Sequence, residues 1–285
     1  MKLKLIAAIA LAGCMAVPMF GQTITATSLV STPQSGTPLA RPVYYDTFSG
    51  PWLNPAKWIT YGPGCALAFQ MECVREIQNG RLRLAARNIG AADSDWGSQF
   101  GESDVYFVNP NTINSITADV TLSRFSGVAC PANTDQPSRT IVKIQGNFFN
   151  TGSGDPADDI SDDVEMWVDP SDPKTMIVGN WFTGSGLGVG TLIGNYPIGT
   201  PLRLSNTWNK ANHQFISVVQ VIGESGPGRR VVVPYTVSDT MPPAYAEKQL
   251  TTFVYSQNCN AVQTFAQVEA FFDNVLVNVP PRPAE

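Results

Sequence analysis

Residues 80–88, "GRLRLAARN", alternate without a break: Leu82, Leu84 and Ala86 take one side, Arg81, Arg83 and Ala85 the other. Period two marks a strand with one face on a core and one in water. The same style recurs on either side of it. "SITADVTLSRF", "TIVKIQGNFFN", "DVEMWVD", "TMIVGNWFT", "HQFISVVQVIG", "RRVVVPYTV", "QLTTFVYSQ" and "AFFDNVLVNV" are short, rich in Val, Ile, Thr, Phe and Tyr, and mostly bounded by Gly, Pro, Asn or Asp. Only "PAYAEKQL" hints at a helical period. About ten strands with no helices between them predict an all-β fold, an antiparallel sandwich or barrel.

The chain has 285 residues, 43% hydrophobic and 14% charged, which suits one large all-β domain. Its 24 glycines and 22 prolines fit many strands joined by turns. A pI near 4.9 leaves no basic patch to displace counterions, so nucleic acid is excluded as a partner. "MKLK" followed by the apolar "LIAAIALAGCMAVPMF" predicts an export signal over residues 1–21. Within it, "LAGC" at 11–14 resembles the bacterial lipobox, with Cys14 as the lipidated residue; cleavage near Gly21 is the other reading. Either way the chain is expected outside the cytoplasm, extracellular or periplasmic, and as an outer-membrane lipoprotein if Cys14 carries the anchor. That lipid would be its only membrane contact. A Thr/Ser/Pro-rich linker is expected at 22–42, one domain at 43–279 and a tail at 280–285.

Cys65, Cys73, Cys130 and Cys259 are an even set for an oxidising compartment, so two disulfides are expected. Three connectivities are open, and Cys65 with Cys73 would close a short loop. No C-x-x-C pair occurs and His213 is the sole histidine, which excludes a zinc site of cysteine and histidine. His213 is likewise the sole candidate for a histidine base. No G-x-S-x-G elbow accompanies it, and no spacing selects a tyrosine partner of the kind a lyase uses. A plain turn histidine is the competing reading.

Three stretches, in order across nearly the whole domain, resemble the concanavalin A-like lectin/glucanase superfamily. They are "YYDTFSGPWLNPAKWITYG" (Asp46, Phe48, Trp58), "REIQNGRLRLAARN" (Asn79, Gly80, Leu82, Leu84) and "QVEAFFDNVLVNV" (Phe272, Asp273, Asn274, Val275). The resemblance implies a jelly-roll β-sandwich whose concave sheet often holds a glycan and whose convex side often holds a structural calcium ion. Asp46 and Asp273, on the terminal strands, are the calcium ligands it points to; either could instead cap a turn. The superfamily mixes lectins, family 16 glucanases, carbohydrate-binding modules, polysaccharide lyases and laminin G domains, so it implies no one activity.

The densest acidic stretch is "SDDVEMWVDPSD", 161–172. Family 16 glucanases carry E-x-D-x-x-E on the active strand, whereas Asp163 to Asp169 gives D-x-E-x-x-x-D, a departure in residue type and spacing that withholds the family's catalytic roles. On a strand, Asp163, Glu165, Trp167 and Asp169 share one face and Val164, Met166 and Val168 the other. Same-face neighbours stand roughly 7 Å apart, within the range of glycosidase carboxylate pairs. Trp167 offers a flat surface for a sugar ring. Three readings follow: a face kept wet by its acids, a glycan-binding face using Trp167 and Asp169, or a catalytic pair of Glu165 and Asp163.

Upstream, "NTGSGDPADDISDD" gathers Asp155, Asp158, Asp159, Asp162 and Asp163 as an oxygen-rich calcium loop or a mobile acidic rim. "GNWFTGSGLGVGTLIGNYPIG" holds seven glycines but no phosphate-loop Lys-Ser/Thr, and reads as flexible loops or a tight hairpin. Trp181 and Tyr196 at its ends are groove or core aromatics. "SDWGSQFGESDVYF" adds Trp96, Glu102 and Asp104 as a further loop near the same face. The leading expectation is an exported lectin-like sandwich that binds a polysaccharide or surface glycan. The alternatives are a glycoside hydrolase or polysaccharide lyase, and an envelope protein without a glycan site.

Overall fold

The alternating stretch is one arm of a hairpin. Its two-residue turn is Asn79-Gly80, with φ of 52° and 69°, and Gln78 pairs directly with Arg81. Positive φ at both positions gives the turn the twist that flanking strands need, and glycine is at home there. The computed structural model describes residues 44–59, 71–89, 99–127, 139–169, 172–256 and 265–279. All belong to one compact unit, Pro38–Ala284.

Two antiparallel sheets of seven strands make up the architecture. Across the first sheet the order is β1 (Trp58–Ile59), β4 (Gln99–Phe107), β13 (Lys248–Ser256), β6 (Arg139–Asn150), β7 (Asp159–Val168), β8 (Thr175–Gly184) and β9 (Leu187–Pro197). Across the second it is β12 (Arg229–Pro234), β11 (Gln214–Val221), β10 (Leu202–Asn209), β5 (Ser115–Ser126), β14 (Phe265–Val277), β3 (Arg81–Ile89) and β2 (Met71–Gln78). Neighbours distant in sequence, such as β5 beside β14, are what a jelly roll requires. "PAYAEKQL" is not a helix; it is the approach to β13 and that strand's first residues.

Alternation puts Leu82, Leu84 and Ala86 of β3, Val164, Met166 and Val168 of β7 and their counterparts between the sheets, in one large buried cluster. A second cluster gathers Phe148, Phe149, Ile160, Phe182, Phe215, Val233 and Tyr235. The seam between the two is polar. Asp162 stands between Ile160 and Val164, Asn180 between Val178 and Phe182, Asn206 just beyond Leu204, and Ser217 between Phe215 and Val219; all four are buried. Asn180 Nδ2 lies 2.9 Å from four oxygens, namely both carboxyl oxygens of Asp162, the Asp163 carbonyl and Ser217 Oγ. Asn206 Nδ2 donates to the Asp162 carbonyl across the sheets at 2.9 Å. Neither asparagine Oδ1 has a hydrogen-bond partner. Burial pushes the Asp162 carboxyl well above the usual carboxylate range.

The opening segment is pinned to the sandwich by Asp46. One carboxylate oxygen accepts from Phe48 N at 3.0 Å, the other from Trp58 Nε1 at 2.7 Å, and the backbone bridges to Val275. Phe48 and Trp58 stack with centroids 5.6 Å apart and are buried. On β14, Asp273 accepts from Asn274 N at 2.7 Å, and Asn274 sits at φ 47° where the pairing with β5 shifts register. The two aspartates are thus a cap and a turn anchor.

Candidate functional site

Facing away from the core, the first sheet carries ordered rows of side chains set by strand register. One row runs Tyr106, Gln249, Gln145, Asp163, Trp181 and Gly190 across β4, β13, β6, β7, β8 and β9. The next runs Asp104, Thr251, Lys143, Glu165 and Gly179. A third is mostly apolar: Glu102, Phe253, Ile141, Trp167 and Ile177.

The two tryptophans owe their posture to glycine. A Cβ on Gly190 would collide with the Trp181 ring, and one on Gly179 would lie 2.9 Å from Trp167 Cη2. Each indole therefore lies down over a glycine of the neighbouring strand instead of standing off the sheet. Trp181 keeps 46% of its surface exposed on the outer face of the sheet and is not a core aromatic. Tyr196 is in the core. The glycine-rich run is a tight hairpin, turning at Ser185 and Gly186 with φ of 50° and 73°.

Charge gathers around Lys143, whose Nζ lies 3.6 Å from Asp163 Oδ2. Asp163 is only 6% exposed, on a strand flanked on both sides, so the solvated-face reading fails for it. Burial raises its carboxyl to about 6. Glu165 and Trp167 share its face and are half-buried, as alternation predicts. β7 ends at Val168, one residue short of Asp169, which is exposed and whose carbonyl accepts from Asp172 N at 3.0 Å.

Glu102 and Asp104 are not on a loop but on β4. Burial first, and Asp104 second, raise Glu102; burial also raises Asp104. Glu247, just before β13, is pushed up to about 7 by burial and then by Glu102. Tyr106 Oη donates to Asp104 Oδ2 at 2.9 Å and Thr251 Oγ1 to Glu102 Oε1 at 2.9 Å. Arg75, from the other sheet, comes within 3.9 Å of Asp104. Sequence reasoning passed over Lys143, Gln145, Gln249 and Glu247. Alternation within β6 and β13 could have placed them on one face, but only strand order could have brought that face beside β7.

Asp155 and Asp158 of the upstream stretch share one 3-10 turn, and the other three acids separate from it. Asp155 caps a 3-10 turn through Ala157 N, Asp159 accepts from Ala244 N and Tyr245 N, Asp162 faces the core and Asp163 faces out. His213 ends a short 3-10 turn at φ 48°, its Nδ1 3.2 Å from Asp239 Oδ2, beside the ring of Tyr235. That tyrosine is buried and donates to Asp239 at 2.6 Å, so it is not poised as a lyase acid. Cys73 is on β2, while Trp96, Cys14, Cys65, Cys130 and Cys259 lie outside the described residues.

No family model matches the chain, and no curated protein matches it in sequence. Solved structures do. Alginate lyase Aly36B is 15% identical, covering 85% of this chain and all of its own (100%), with a TM-score of 0.38. A glycosyl hydrolase family protein from Mycobacterium fortuitum is 8% identical over 81% of this chain and 97% of its own, TM-score 0.38. Winged bean acidic lectin, complexed with methyl-α-D-galactose, is 12% identical over 75% and 95%, TM-score 0.29. These neighbours include both carbohydrate-binding and carbohydrate-cleaving proteins, and what this chain shows by itself is an antiparallel β-sandwich of two seven-stranded sheets. At these scores the likeness carries no argument about activity.

Proposed function

We propose that the chain is an exported, lectin-like sandwich that binds a polysaccharide or surface glycan on the outer face of its first sheet. One observation carries the reading: Trp181 lies over Gly190, half exposed, in register beside Asp163, Gln145 and Gln249. A flat apolar surface next to fixed hydrogen-bonding groups is what a sugar ring, apolar on its face and polar at its rim, can use. Two disulfides among Cys65, Cys73, Cys130 and Cys259 belong to the same proposal, as does export.

A second reading has its own support. Asp163 holds its proton up to about pH 6, and Glu165 follows two residues on along the same face. Carboxyl groups in different environments are the raw material of glycoside cleavage. The full chain is incubated with a polysaccharide panel, and pellet depletion and released oligosaccharides are scored together. Depletion without products, lost in Trp181→Ala and kept in Glu165→Gln, is the expected result. Products that vanish in Glu165→Gln would make the protein an enzyme. Neither signal would leave an envelope protein without a glycan site.

A further inference from the structure

The outer face of the first sheet is short of hydrogen-bond donors. Asp104 Oδ1, Asp163 Oδ1 and Gln249 Oε1 are buried there without a hydrogen-bond partner. The residues that carry them are 1%, 6% and 4% exposed. All three are acceptors, and no described residue of this face has an unpartnered buried donor. Leaving such atoms unpaired is costly, so the three point to a ligand that donates.

Charge narrows the class. Glu102, Asp104, Asp163, Glu165 and Glu247 meet here, against Lys143 at the centre and Arg75 reaching in behind Asp104. Burial first and a neighbouring acid second raise Glu102 (beside Asp104) and Glu247 (beside Glu102), while Lys143 pulls both down. Among the described residues, no three acids come close enough together to hold a metal ion. The acids are instead spread over β4, β7 and the approach to β13, with Trp181 at one end. That layout suits positive charge carried at intervals along a chain of rings.

Resting on the glycan reading above, we infer that this face takes a glycan bearing free primary amines, a polymer of unacetylated amino sugar, and rejects polyuronates. Ammonium groups at the 2-positions of successive sugars meet the acidic face while one ring lies on Trp181, and the unpartnered acceptors in its row are Asp163 Oδ1 and Gln249 Oε1. A uronate would bring more carboxylate to a face already in excess of it.

The test uses the full chain and four hexasaccharides: β-1,4-glucosamine, its N-acetylated form, cellohexaose, and an oligoguluronate. The first three share a backbone and differ in the group at the 2-position. Glucosamine hexamer is expected to bind roughly tenfold or more tighter than cellohexaose, the margin of a charged hydrogen bond. Added salt should shrink that margin. Glu247→Gln should weaken glucosamine binding more than cellohexaose binding, and an equal loss on both would overturn the inference. Equal or tighter binding of cellohexaose or of the N-acetyl form, or any preference for the uronate, overturns the inference and leaves the glycan reading standing. Binding of none of the four, by a chain that also ignores the polysaccharide panel, overturns both.

Discussion

At Gly190 a missing side chain decides what Trp181 can do. The indole occupies the space a Cβ would need, so Gly190→Val must lift the ring off the sheet while adding a good strand former to β9. The expected result is a fold that melts within a few degrees of the parent and a glycan affinity about tenfold lower, read by isothermal titration beside a thermal scan. Equal affinity would show that the ring's posture is irrelevant. The sequence offered Trp167 as a flat surface for a sugar ring and left Trp181 as a groove or core aromatic, but neither ring's posture was legible, because that depends on the neighbouring strand. The fate of Asp163 was hidden for a like reason. Alternation put it on the outer face, and only the flanking β6 and β8 make that face nearly dry there.

Among the strands, regular alternation was legible and exceptions were not. β3, β5, β7 and β14 stand where "GRLRLAARN", "SITADVTLSRF", "DVEMWVD" and "AFFDNVLVNV" predict them. The glycines left β9 open between flexible loop and hairpin, β10 was hidden by the polar Asn206 at an inward position, and β4 by acids that read as loop. The β8–β9 hairpin that carries Trp181 gives a test of its own. Gly186 has a φ of 73° and open space around any added Cβ, so Gly186→Ala strains the backbone without a clash. It should cost about 1 kcal/mol in chemical denaturation, with little effect on the outer face. A stabilised variant would mean that the turn adopts another geometry.

In the molecule as a whole, the polar seam ties stability to pH. Asn180 Nδ2 has two hydrogens for four nearby oxygens, while two asparagine Oδ1 atoms lack donors. A proton on Asp162 supplies a donor, in keeping with its raised carboxyl. A raised folded value means that the native chain holds a proton the unfolded chain has released. Stability from this group is therefore full below the unfolded carboxylate range near pH ~4 and is lost as pH rises through the folded value. Asp162→Asn keeps a donor and an acceptor without the titration. The variant should exceed the parent in unfolding free energy at pH 8, with the gap closing toward pH 4. Parallel curves would show that Asp162 is not protonated in the fold. The seam has a second consequence, for how the two layers find each other. Greasy faces can slide by a residue pair and still be greasy, but Asn206 meets the Asp162 carbonyl, and Asn180 meets Ser217, in a single alignment. The four polar residues work as a key cut into an otherwise featureless interface, and a chain that closes one notch out of place leaves buried groups with nothing to hold.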